Sequence, residues 1–449
     1  MVDLKIDFNK TIGSIKALHG VNNGPVCYGS LVDVSSYYKE LGISYVRLHD
    51  TNWPNPREVD IYTIFQDFDK DADDPSSYDF SRTDEYIKSI IDTGAKIIYR
   101  LGVSIEHTKE KYYINPPKDF GKWAEICIGI IKHYNKGWAN GFNYDIQYWE
   151  IWNEPDNPYG NIMWSGTPEQ YFELYKVATT AIKHFDSKLK VGGFAATMLN
   201  PEFMKGFLEF CRNNKLPIDF FSWHTYTNNP LTIVDNAKNV ESLLKEYGFG
   251  SAESHCNEWN YICNDPKIKE VFRGGNEYFT EEHFERSKGI EGASFDAAFL
   301  ILLQDCPVDV ANFYDAAPSS YWSMFNVYGV PQKNYYAFKA FKELCINSER
   351  VLTELSCEIR GLYCCCGTDK SKNEAAILIS NFNAESREYT IRLDNLPLMV
   401  THICQTYLLD KGHNLELVTS EEVIMPCGEI TKYIEKHSVV LFKINQRRV

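Results

Sequence analysis

The sequence lacks long hydrophobic runs and lacks an excess of positive charge. No apolar run approaches the roughly 18 residues needed to cross a bilayer, and residues 1–7 alternate polar and apolar side chains as a strand does, unlike the apolar core of a signal peptide. Lys and Arg number 46 against 61 Asp and Glu, so the net charge of −15 repels phosphate backbones and anionic lipids. We therefore expect a cytoplasmic protein with neither nucleic acid nor membrane as a partner.

Patterns typical of disulfides, metals and nucleotide cofactors are missing as well. The 13 cysteines are odd in number and scattered through predicted helices and strands, which indicates a reducing compartment. Cys256 and Cys263 lack zinc-site spacing, and the Asp-rich loop 67–79 lacks the glycine and closing glutamate of a calcium loop. No Gly-rich phosphate loop follows the first predicted strand. We expect no metal and no cofactor.

What the sequence does contain, between residues 15 and 345, is an alternation of short apolar runs with longer amphipathic ones, as in repeated βα units. We predict strands at 18–22, 45–49, 96–101, 147–153, 190–194, 219–226, 254–259 and 309–314. Helices are predicted between them, for example at 83–93 and at 168–185, where Thr167 can cap the helix. Eight such strands predict an α/β fold, a closed (β/α)₈ TIM barrel. A doubly wound sheet would show the same alternation, but the missing phosphate loop favours the barrel.

After about residue 350 the pattern changes to strand-like runs at 358–366, 375–382, 388–393, 401–408 and 439–444. These runs predict a C-terminal antiparallel β-sandwich at 349–449 after a catalytic barrel at 15–348. The strand within 1–14 has no place in the barrel, so we predict that it joins the sandwich. We expect the sandwich to stabilise the barrel, with a carbohydrate-binding module as the alternative.

Two glutamates stand where predicted strands end. The fourth strand runs out at Trp-Asn-Glu-Pro, residues 152–155, and Pro155 cannot continue a strand ladder, so Glu154 is placed at the mouth of the barrel. The seventh strand ends at Asn-Glu-Trp-Asn, residues 257–260, which places Glu258 in the same mouth. Two facing carboxyl groups are what glycosidic cleavage requires, one to protonate the leaving oxygen and one to attack or to activate water. From the residues alone, retention and inversion of configuration both stay open.

Several motifs in this order resemble glycoside hydrolase family 39, which includes β-xylosidases and α-L-iduronidases. They are Trp-Glu-Ile-Trp-Asn-Glu-Pro at 149–155, Tyr-Phe-Glu-Leu-Tyr-Lys at 171–176, Lys-Val-Gly-Gly at 190–193, Pro-Ile-Asp-Phe-Phe-Ser-Trp-His at 217–224 and Asn-Glu-Trp-Asn at 257–260. The resemblance implies that Glu154 is the acid/base and Glu258 the nucleophile of a retaining enzyme, with carboxyl groups about 5 to 5.5 Å apart. We expect the negative charge of Glu258 to raise the pKa of Glu154.

The same resemblance implies roles for neighbouring residues. Asn153 would bind the sugar 2-hydroxyl, His49 and His224 would contact the sugar, and Tyr226 would orient the nucleophile, with Asn257 beside it. Arg47 shares a strand face with His49 and either orients a carboxylate or forms a structural salt bridge, and Asp50 is a candidate helper. Aromatic residues that are candidates for sugar stacking or for packing are Trp53, Trp259, Tyr314 and Trp322.

The sugar itself is predicted less directly. Strand eight and the loops after strands one, two and eight depart from the xylosidase pattern, and these loops choose the sugar. A uronic acid needs a cation, and Arg273 and Lys288 do not stand at predicted strand ends, so a neutral pentose is preferred. We predict an exo-acting β-xylosidase that releases xylose from short β-linked oligosaccharides or glycosides by double displacement. The alternatives are an iduronidase, galactosidase, arabinosidase or endo-glycosidase on the same barrel, or a non-catalytic sugar-binding relic, and the oligomeric state stays open.

Overall fold

The computed structural model describes residues 2–27, 29–51, 57–106, 109–157, 163–263, 277–318, 322–355, 359–395, 402–423 and 427–446. Within these ranges, the elements that precede residue 347 are, in chain order, β1 (Leu4–Ser14), β2 (Gly20–Asn22), β3 (Val26–Cys27), β4 (Val32–Asp33), α1 (Ser35–Leu41), β5 (Tyr45–Leu48), α2 (Ile61–Ile64), α3 (Ser81–Ile91), β6 (Lys96–Leu101), α4 (Phe120–Lys136), β7 (Tyr148–Ile151), α5 (Pro168–Phe185), β8 (Lys190–Ala196), α6 (Pro201–Asn213), β9 (Phe220–Thr227), α7 (Thr232–Glu246), β10 (Glu253–Tyr261), α8 (Glu277–Lys288), α9 (Ile290–Leu303), β11 (Val310–Phe313) and α10 (Lys333–Ile346). Short 3₁₀ helices lie at Pro75–Ser77 and Trp138–Asn140. The elements that follow are β12 (Glu349–Leu355), β13 (Leu362–Thr368), β14 (Glu374–Asn381), β15 (Arg387–Asp394), β16 (His402–Leu409), β17 (Asn414–Val423), β18 (Cys427–Ile434) and β19 (Ser438–Gln446).

The strands β2, β5, β6, β7, β8, β9, β10 and β11 form a closed barrel, and each pairs with its neighbours in parallel. This confirms the predicted TIM barrel, and every predicted barrel strand overlaps an observed one. The strands are buried on both faces because side chains fill the interior while helices cover the outside. All parallel strands point the same way, so the residues at their C-terminal ends meet at one mouth.

Local sequence explains where the helices begin. At α5 the side chain of Thr167 accepts a hydrogen bond from the Gln170 N–H, and the Gln170 side chain accepts one from the Thr167 N–H. Pro168 occupies the first helical position, where a missing N–H costs nothing. This capping box fixes the start of the helix that follows the strand leading to Glu154.

The second sheet contains nine strands in the order β17-β16-β19-β14-β13-β12-β1-β15-β18. All of its pairs are antiparallel except β1 with β15, so the predicted second domain of antiparallel strands is confirmed. Strand β1 pairs with both β12 and β15, and the chain therefore enters this sheet before it enters the barrel. The strands β12, β17 and β18 were not predicted from the sequence.

The sheet packs against the barrel through alternating side chains. Leu378 and Leu441 belong to the large apolar core shared with the barrel helices, whereas their neighbours Ile377 and Phe442 belong to a separate core inside the sheet. This alternation follows from the two-residue period of a strand. The Ser380 hydroxyl also donates a 2.6 Å hydrogen bond to a backbone carbonyl of α9.

None of the helices in the described ranges combines the length and the apolar character needed to span a bilayer.

Candidate active site

Glu154 and Glu258 both lie at the C-terminal mouth of the barrel. The chain leaves β7 through two residues with positive φ, Trp152 at 69° and Glu154 at 47°, a conformation that non-glycine residues adopt only where surroundings hold it. The Glu154 N–H donates to Phe194 O at 3.1 Å, which ties this turn to β8. Glu258 follows a register shift in β10 after Cys256. A carboxylate oxygen of Glu154, one of Glu258 and a ring nitrogen of His224 all lie within 4.8 Å of one another.

Arg47 stands beneath this pair and is fully buried. Its Nε donates to Glu150 Oε2 at 2.7 Å and its Nη1 to Glu258 Oε1 at 2.7 Å. Its Nη2 donates to Asn153 Oδ1 at 2.6 Å, and Nη1 also reaches Asn22 Oδ1 at 3.2 Å. A planar guanidinium has five N–H donors in a fixed fork, so one side chain sets the positions of four others.

Glu150 is the partner that makes this arginine tolerable in the barrel interior. It is fully buried and accepts a second hydrogen bond, from Asn257 Nδ2 at 2.5 Å. Arg47 has two carboxylate partners, Glu150 and Glu258. If a reaction consumes the charge of Glu258, the buried guanidinium still faces Glu150. Neither Glu150 nor Asn22 was predicted from the sequence as a site residue. The available signal was a charged residue in the middle of each of two barrel strands, since such residues must pair when buried.

Glu154 is buried, and the side chains that hydrogen-bond its carboxyl group are neutral. Its Oε2 accepts from Asn157 Nδ2 at 2.7 Å, and its Oε1 lies 2.7 Å from His224 Nδ1. Burial raises the pKa of Glu154 to about 7, against the lowering effects of Asn157 and Arg47. The shift is in the direction expected from the sequence, but its largest cause is burial and not the charge of Glu258.

Burial also lowers the pKa of His224 to about 4, so its imidazole is neutral at physiological pH. A neutral imidazole has one donor and one acceptor nitrogen, and it can therefore hydrogen-bond a carboxyl group in either protonation state. His224 Nδ1 also lies 3.4 Å from Glu258 Oε2. The ring thus lies between the two carboxyl groups.

Glu258 is held from two sides. Arg47 binds one oxygen, and the Tyr226 hydroxyl donates to the other, Oε2, at 2.7 Å. Burial and the nearby charge of Glu258 raise the pKa of Tyr226, so the phenol keeps its proton and remains a donor. These two contacts fix the position of both carboxylate oxygens of Glu258.

Glu154, His224 and Glu258 are also the one group of side chains, among those the structure describes, that has the spacing of a metal site. The Arg47 guanidinium, 2.7 Å from Glu258, would repel a cation there. The arrangement fits acid and nucleophile chemistry better than metal ligation.

One wall of the mouth joins the ends of β5 and β11. Tyr314 donates its hydroxyl to Asp50 Oδ2 at 3.0 Å, while Asp50 Oδ1 accepts the Ile105 N–H at 2.6 Å and lies 3.4 Å from His49 Nε2. Burial raises the pKa of Asp50 to about 7, with a further contribution from the charge of Glu258. His49, Asp50 and Tyr314 therefore border the pocket on the side of the nucleophile.

The loop after β11 forms the adjacent wall. The Trp322 ring lies 5.5 Å from that of Tyr226. The Trp322 carbonyl accepts hydrogen bonds from Asn260 Nδ2 at 3.1 Å and from Lys288 Nζ. Lys288 is buried and occupied by this contact, and it does not present a free cation to a sugar carboxylate.

Trp259 does not lie where the sequence-based prediction placed it. Its ring stacks on Phe299 of α9 at 4.3 Å and meets Phe313 and Phe338, and it is fully buried. Neighbouring residues of a strand face opposite sides, so a β10 that points Glu258 inward points Trp259 outward against the helices. Trp259 packs between barrel wall and helices and does not stack on a sugar. Trp53 and Arg273 lie outside the described residues.

Comparisons with known proteins agree with this architecture. Residues 4–247 match the family described as Glycosyl hydrolases family 39. A β-xylosidase of Caldicellulosiruptor saccharolyticus is 26% identical over 383 residues, which cover 77% of this chain and 70% of that protein. Among solved structures, a glucosidase from Croceicoccus marinus is similar with a TM-score of 0.82 and 24% identity over 100% of both chains. A monomeric β-xylosidase from Caulobacter crescentus CB15 is similar with a TM-score of 0.72 and 15% identity over 99% of both chains.

The two structures share the fold of this chain, and the family match spans more than half of its 449 residues. Together with the matched relative, this shows that the chain belongs to glycoside hydrolase family 39 and is a glycosidase.

Proposed function

We propose that the chain is a retaining, exo-acting β-xylosidase in which Glu154 is the acid/base and Glu258 the nucleophile. The observation that carries the proposal is the asymmetry of the two carboxyl groups. Burial raises the pKa of Glu154 to about 7, whereas Glu258 lies 2.7 Å from a guanidinium. One group is suited to hold a proton and the other to remain an anion.

The short distance between the two groups favours retention. A carboxylate oxygen of Glu154 and one of Glu258 lie within 4.8 Å of each other. Carboxyl groups about 5 to 5.5 Å apart are typical of retaining enzymes. Inverting enzymes separate them by about 6.5 to 9.5 Å to leave room for a water molecule.

In the first step, Glu258 attacks the anomeric carbon while Glu154 gives its proton to the glycosidic oxygen, and the bond to the leaving group breaks. Glu154 is then ionised and accepts hydrogen bonds from Asn157 and neutral His224. In the second step, Glu154 takes a proton from water, the water oxygen attacks the anomeric carbon, and Glu258 is released as a carboxylate to Arg47 and Tyr226.

Asn153 is proposed to bind the sugar 2-hydroxyl. Its Oδ1 accepts from Arg47 Nη2 at 2.6 Å, and this contact fixes which end of the amide is the oxygen. The NH₂ end is then left to donate to a substrate oxygen. His49 and Tyr314 are proposed as further sugar contacts.

Xylose is proposed because matched relatives are named β-xylosidases, among them that of Caldicellulosiruptor saccharolyticus. The wall formed by Asp50 and Tyr314 supports exo action, since it bridges two strand ends beside the nucleophile. The occupied amine of Lys288 and the acidic wall argue against a uronic acid.

The test of the dyad is hydrolysis of a 4-nitrophenyl glycoside by Glu258→Gln and Glu154→Gln. We expect each to lose at least about 10³-fold in kcat. Near wild-type rates in both variants would sink the assignment, and binding without turnover by the wild type would indicate a sugar-binding relic. NMR of the first-formed product must show retained configuration, because net inversion contradicts double displacement.

A panel of 4-nitrophenyl β-xyloside, β-glucoside, β-galactoside, α-L-arabinoside and glucuronide tests the sugar. The proposal expects the highest kcat/KM for the xyloside. A preference of more than tenfold for another glycone would overturn xylose while leaving the dyad in place.

A further inference from the structure

The rim of the barrel mouth carries exposed apolar side chains that the proposed reaction does not use. Of the 13 large hydrophobic residues that are exposed within the described ranges, eight lie in loops that follow barrel strands: Leu31, Tyr112, Tyr113, Met198, Leu231, Val327, Tyr328 and Val330. Tyr112 and Tyr113, in the loop between β6 and α4, are 63% and 40% exposed. Exposed aromatic rings at the rim of a sugar pocket have an apolar face suited to the C–H face of a sugar.

The backbone beneath these two tyrosines is held firmly. Glu106 is 1% exposed and its carboxylate accepts the Tyr112 N–H at 2.7 Å and the Tyr113 N–H at 2.5 Å. A buried carboxylate that binds two backbone N–H groups fixes the turn that presents both rings. Exposed aromatic side chains on a rigid turn lose little freedom when they bind.

The ring of Tyr113 is also braced from one side. It stacks on the Tyr62 ring at 3.5 Å with an angle of 5° between the planes. Arg57 lies 5.7 Å from the Tyr113 ring centre and donates to the Tyr62 hydroxyl at 2.8 Å. Tyr62 covers one face of Tyr113, and the ring remains 40% exposed.

The loop that carries the tyrosines joins both sides of the proposed reaction site. The Ile105 N–H binds Asp50, the wall residue beside the nucleophile, at 2.6 Å. At the other end, Ile114 O accepts the Ser165 N–H at 3.0 Å, from the loop between β7 and α5 that also contains Glu154. These two contacts hold the loop that carries the tyrosines against both sides of the mouth.

We propose that Tyr112 and Tyr113 form a second carbohydrate subsite, on which a sugar ring bonded to the reacting sugar stacks. The inference rests on the proposed function, because it takes the pocket at Glu154 and Glu258 as the place of the reacting sugar. The ligand is a neutral pyranose of the same oligosaccharide, attached on the leaving-group side, because exo action makes the reacting sugar the terminal one.

The experiment compares substrates with one ring and with two in Tyr112→Ala and Tyr113→Ala. Xylosyl fluoride has a single ring and a one-atom leaving group, whereas xylobiose has a second ring. For each variant we expect kcat/KM to fall about five- to tenfold with xylobiose, the size of a lost aromatic contact, and to stay within twofold with the fluoride. Tyr112→Trp should keep the wild-type ratio because it retains a stacking face.

Tyr433→Ala is the matched control, since Tyr433 is 53% exposed on β18 of the second sheet and lies in none of the loops of the barrel mouth. It should change neither substrate. Equal losses on xylobiose and fluoride in the Tyr112 and Tyr113 variants would overturn the subsite and indicate a distorted pocket, and no loss on either would overturn it as well.

Two further substrates tell on which side the second ring binds. A loss with 4-nitrophenyl xyloside, whose aglycone is aromatic, marks the leaving-group side. Release of xylobiose from 4-nitrophenyl xylobioside that is lost in the variants would place the second ring on the non-reducing side, and it would overturn both the assigned side and exo action.

Failure of the proposed function can be told apart. If wild type cleaves none of these glycosides, calorimetric titration of the wild-type protein with xylotriose and with xylose still measures the subsite. Tighter binding of xylotriose that is lost in Tyr112→Ala supports it, and equal binding by wild type and variant overturns it.

Discussion

The barrel mouth contrasts with the interior of the second sheet. At the mouth, Arg47 and Glu150 are fully buried, and Glu154 and Glu258 are at least nine-tenths buried. The core inside the second sheet is formed by Leu, Ile, Val, Phe, Ala, Cys and Tyr side chains, including Ile377 and Phe442. Buried charge is concentrated at the mouth, whereas the second sheet buries Asp3, Asp7 and Asp394 outside an apolar core.

The difference shows what each region can contribute. Apolar burial stabilises the folded state by roughly 25 cal/mol per Å², so the sheet core is a source of stability. Buried charges cost desolvation energy that their mutual attraction barely repays. The mouth therefore holds its charges in place for chemistry and relies on the surrounding packing to keep them there.

Arg47→Met should give the largest effect. It leaves Glu150 and Glu258 buried without their cation, which should lower the free energy of unfolding by about 3 to 5 kcal/mol. It should also lower kcat by roughly 10²- to 10³-fold, because the nucleophile and Asn153 lose their common support. Denaturant unfolding and hydrolysis of an aryl glycoside measure the two effects.

Arg100→Met provides the control. Arg100 is fully buried on the neighbouring strand β6, and it donates hydrogen bonds to Asp60 at 2.6 Å and to Ser104 at 3.3 Å. It should lose comparable stability but less than about tenfold in kcat. Equal losses of activity in both variants would mean that Arg47 acts only through stability.

Phe442→Ala tests the other region. Phe442 is fully buried in the sheet core, and its truncation should cost about 3 to 5 kcal/mol of stability. The folded fraction should keep kcat within twofold, since the core that contains Phe442 includes none of the mouth residues. The exposed Tyr433→Ala should cost less than about 0.5 kcal/mol. A tenfold fall in kcat at Phe442 would show that the two regions are not separate.

Tyr226→Phe removes one donor from the nucleophile and keeps the ring. A hydrogen bond to a charged group contributes about 1.5 to 3 kcal/mol, so we expect kcat/KM to fall roughly 10- to 100-fold. Tyr314→Phe removes a hydroxyl that binds Asp50, and should raise KM more than it lowers kcat. The prediction is contradicted if the two variants show the same pattern.

The sequence predicted the barrel well because its strands are buried on both faces and stand out as apolar runs between amphipathic helices. It missed β17 and β18 because these are the two edges of the second sheet, where polar side chains replace the apolar alternation. The edge strand β17, Asn-Leu-Glu-Leu-Val-Thr-Ser-Glu-Glu-Val, shows this composition.

For the candidate site, strand ends alone predicted that Glu154 and Glu258 share one mouth. The hydrogen bonds of Arg47 could not be predicted in the same way. They reach four side chains on or just after three other strands, and they depend on strand register and on the shift after Cys256. Trp259 could have been placed correctly from alternation along β10. No sequence pattern marks Tyr112 and Tyr113 as exposed, because the exposure of a loop side chain is set by tertiary contacts such as those of Glu106.

Glu154→Gln should give a small gain in stability, and the size of this gain depends on pH. Because burial raises the pKa of Glu154 to about 7, the native carboxyl keeps a proton at a pH where the unfolded one is ionised. Its contribution to wild-type stability is full below about pH 4.5 and is lost as the pH rises towards 7. Gln cannot ionise, so the variant should melt roughly 1 to 3 °C above wild type at pH 8 and show no such gain at pH 4.5.

The same proton links this stability difference to activity. Wild-type kcat should begin to fall near pH 7, where Glu154 loses the proton that it must donate. The melting difference should stop growing at that same pH, because above it the native carboxyl is ionised too. Glu173→Gln removes a half-exposed carboxylate of α5 that pairs with Lys176, and it should change the melting temperature little at either pH. If activity falls several pH units away from the plateau in melting temperature, Glu154 does not carry the catalytic proton.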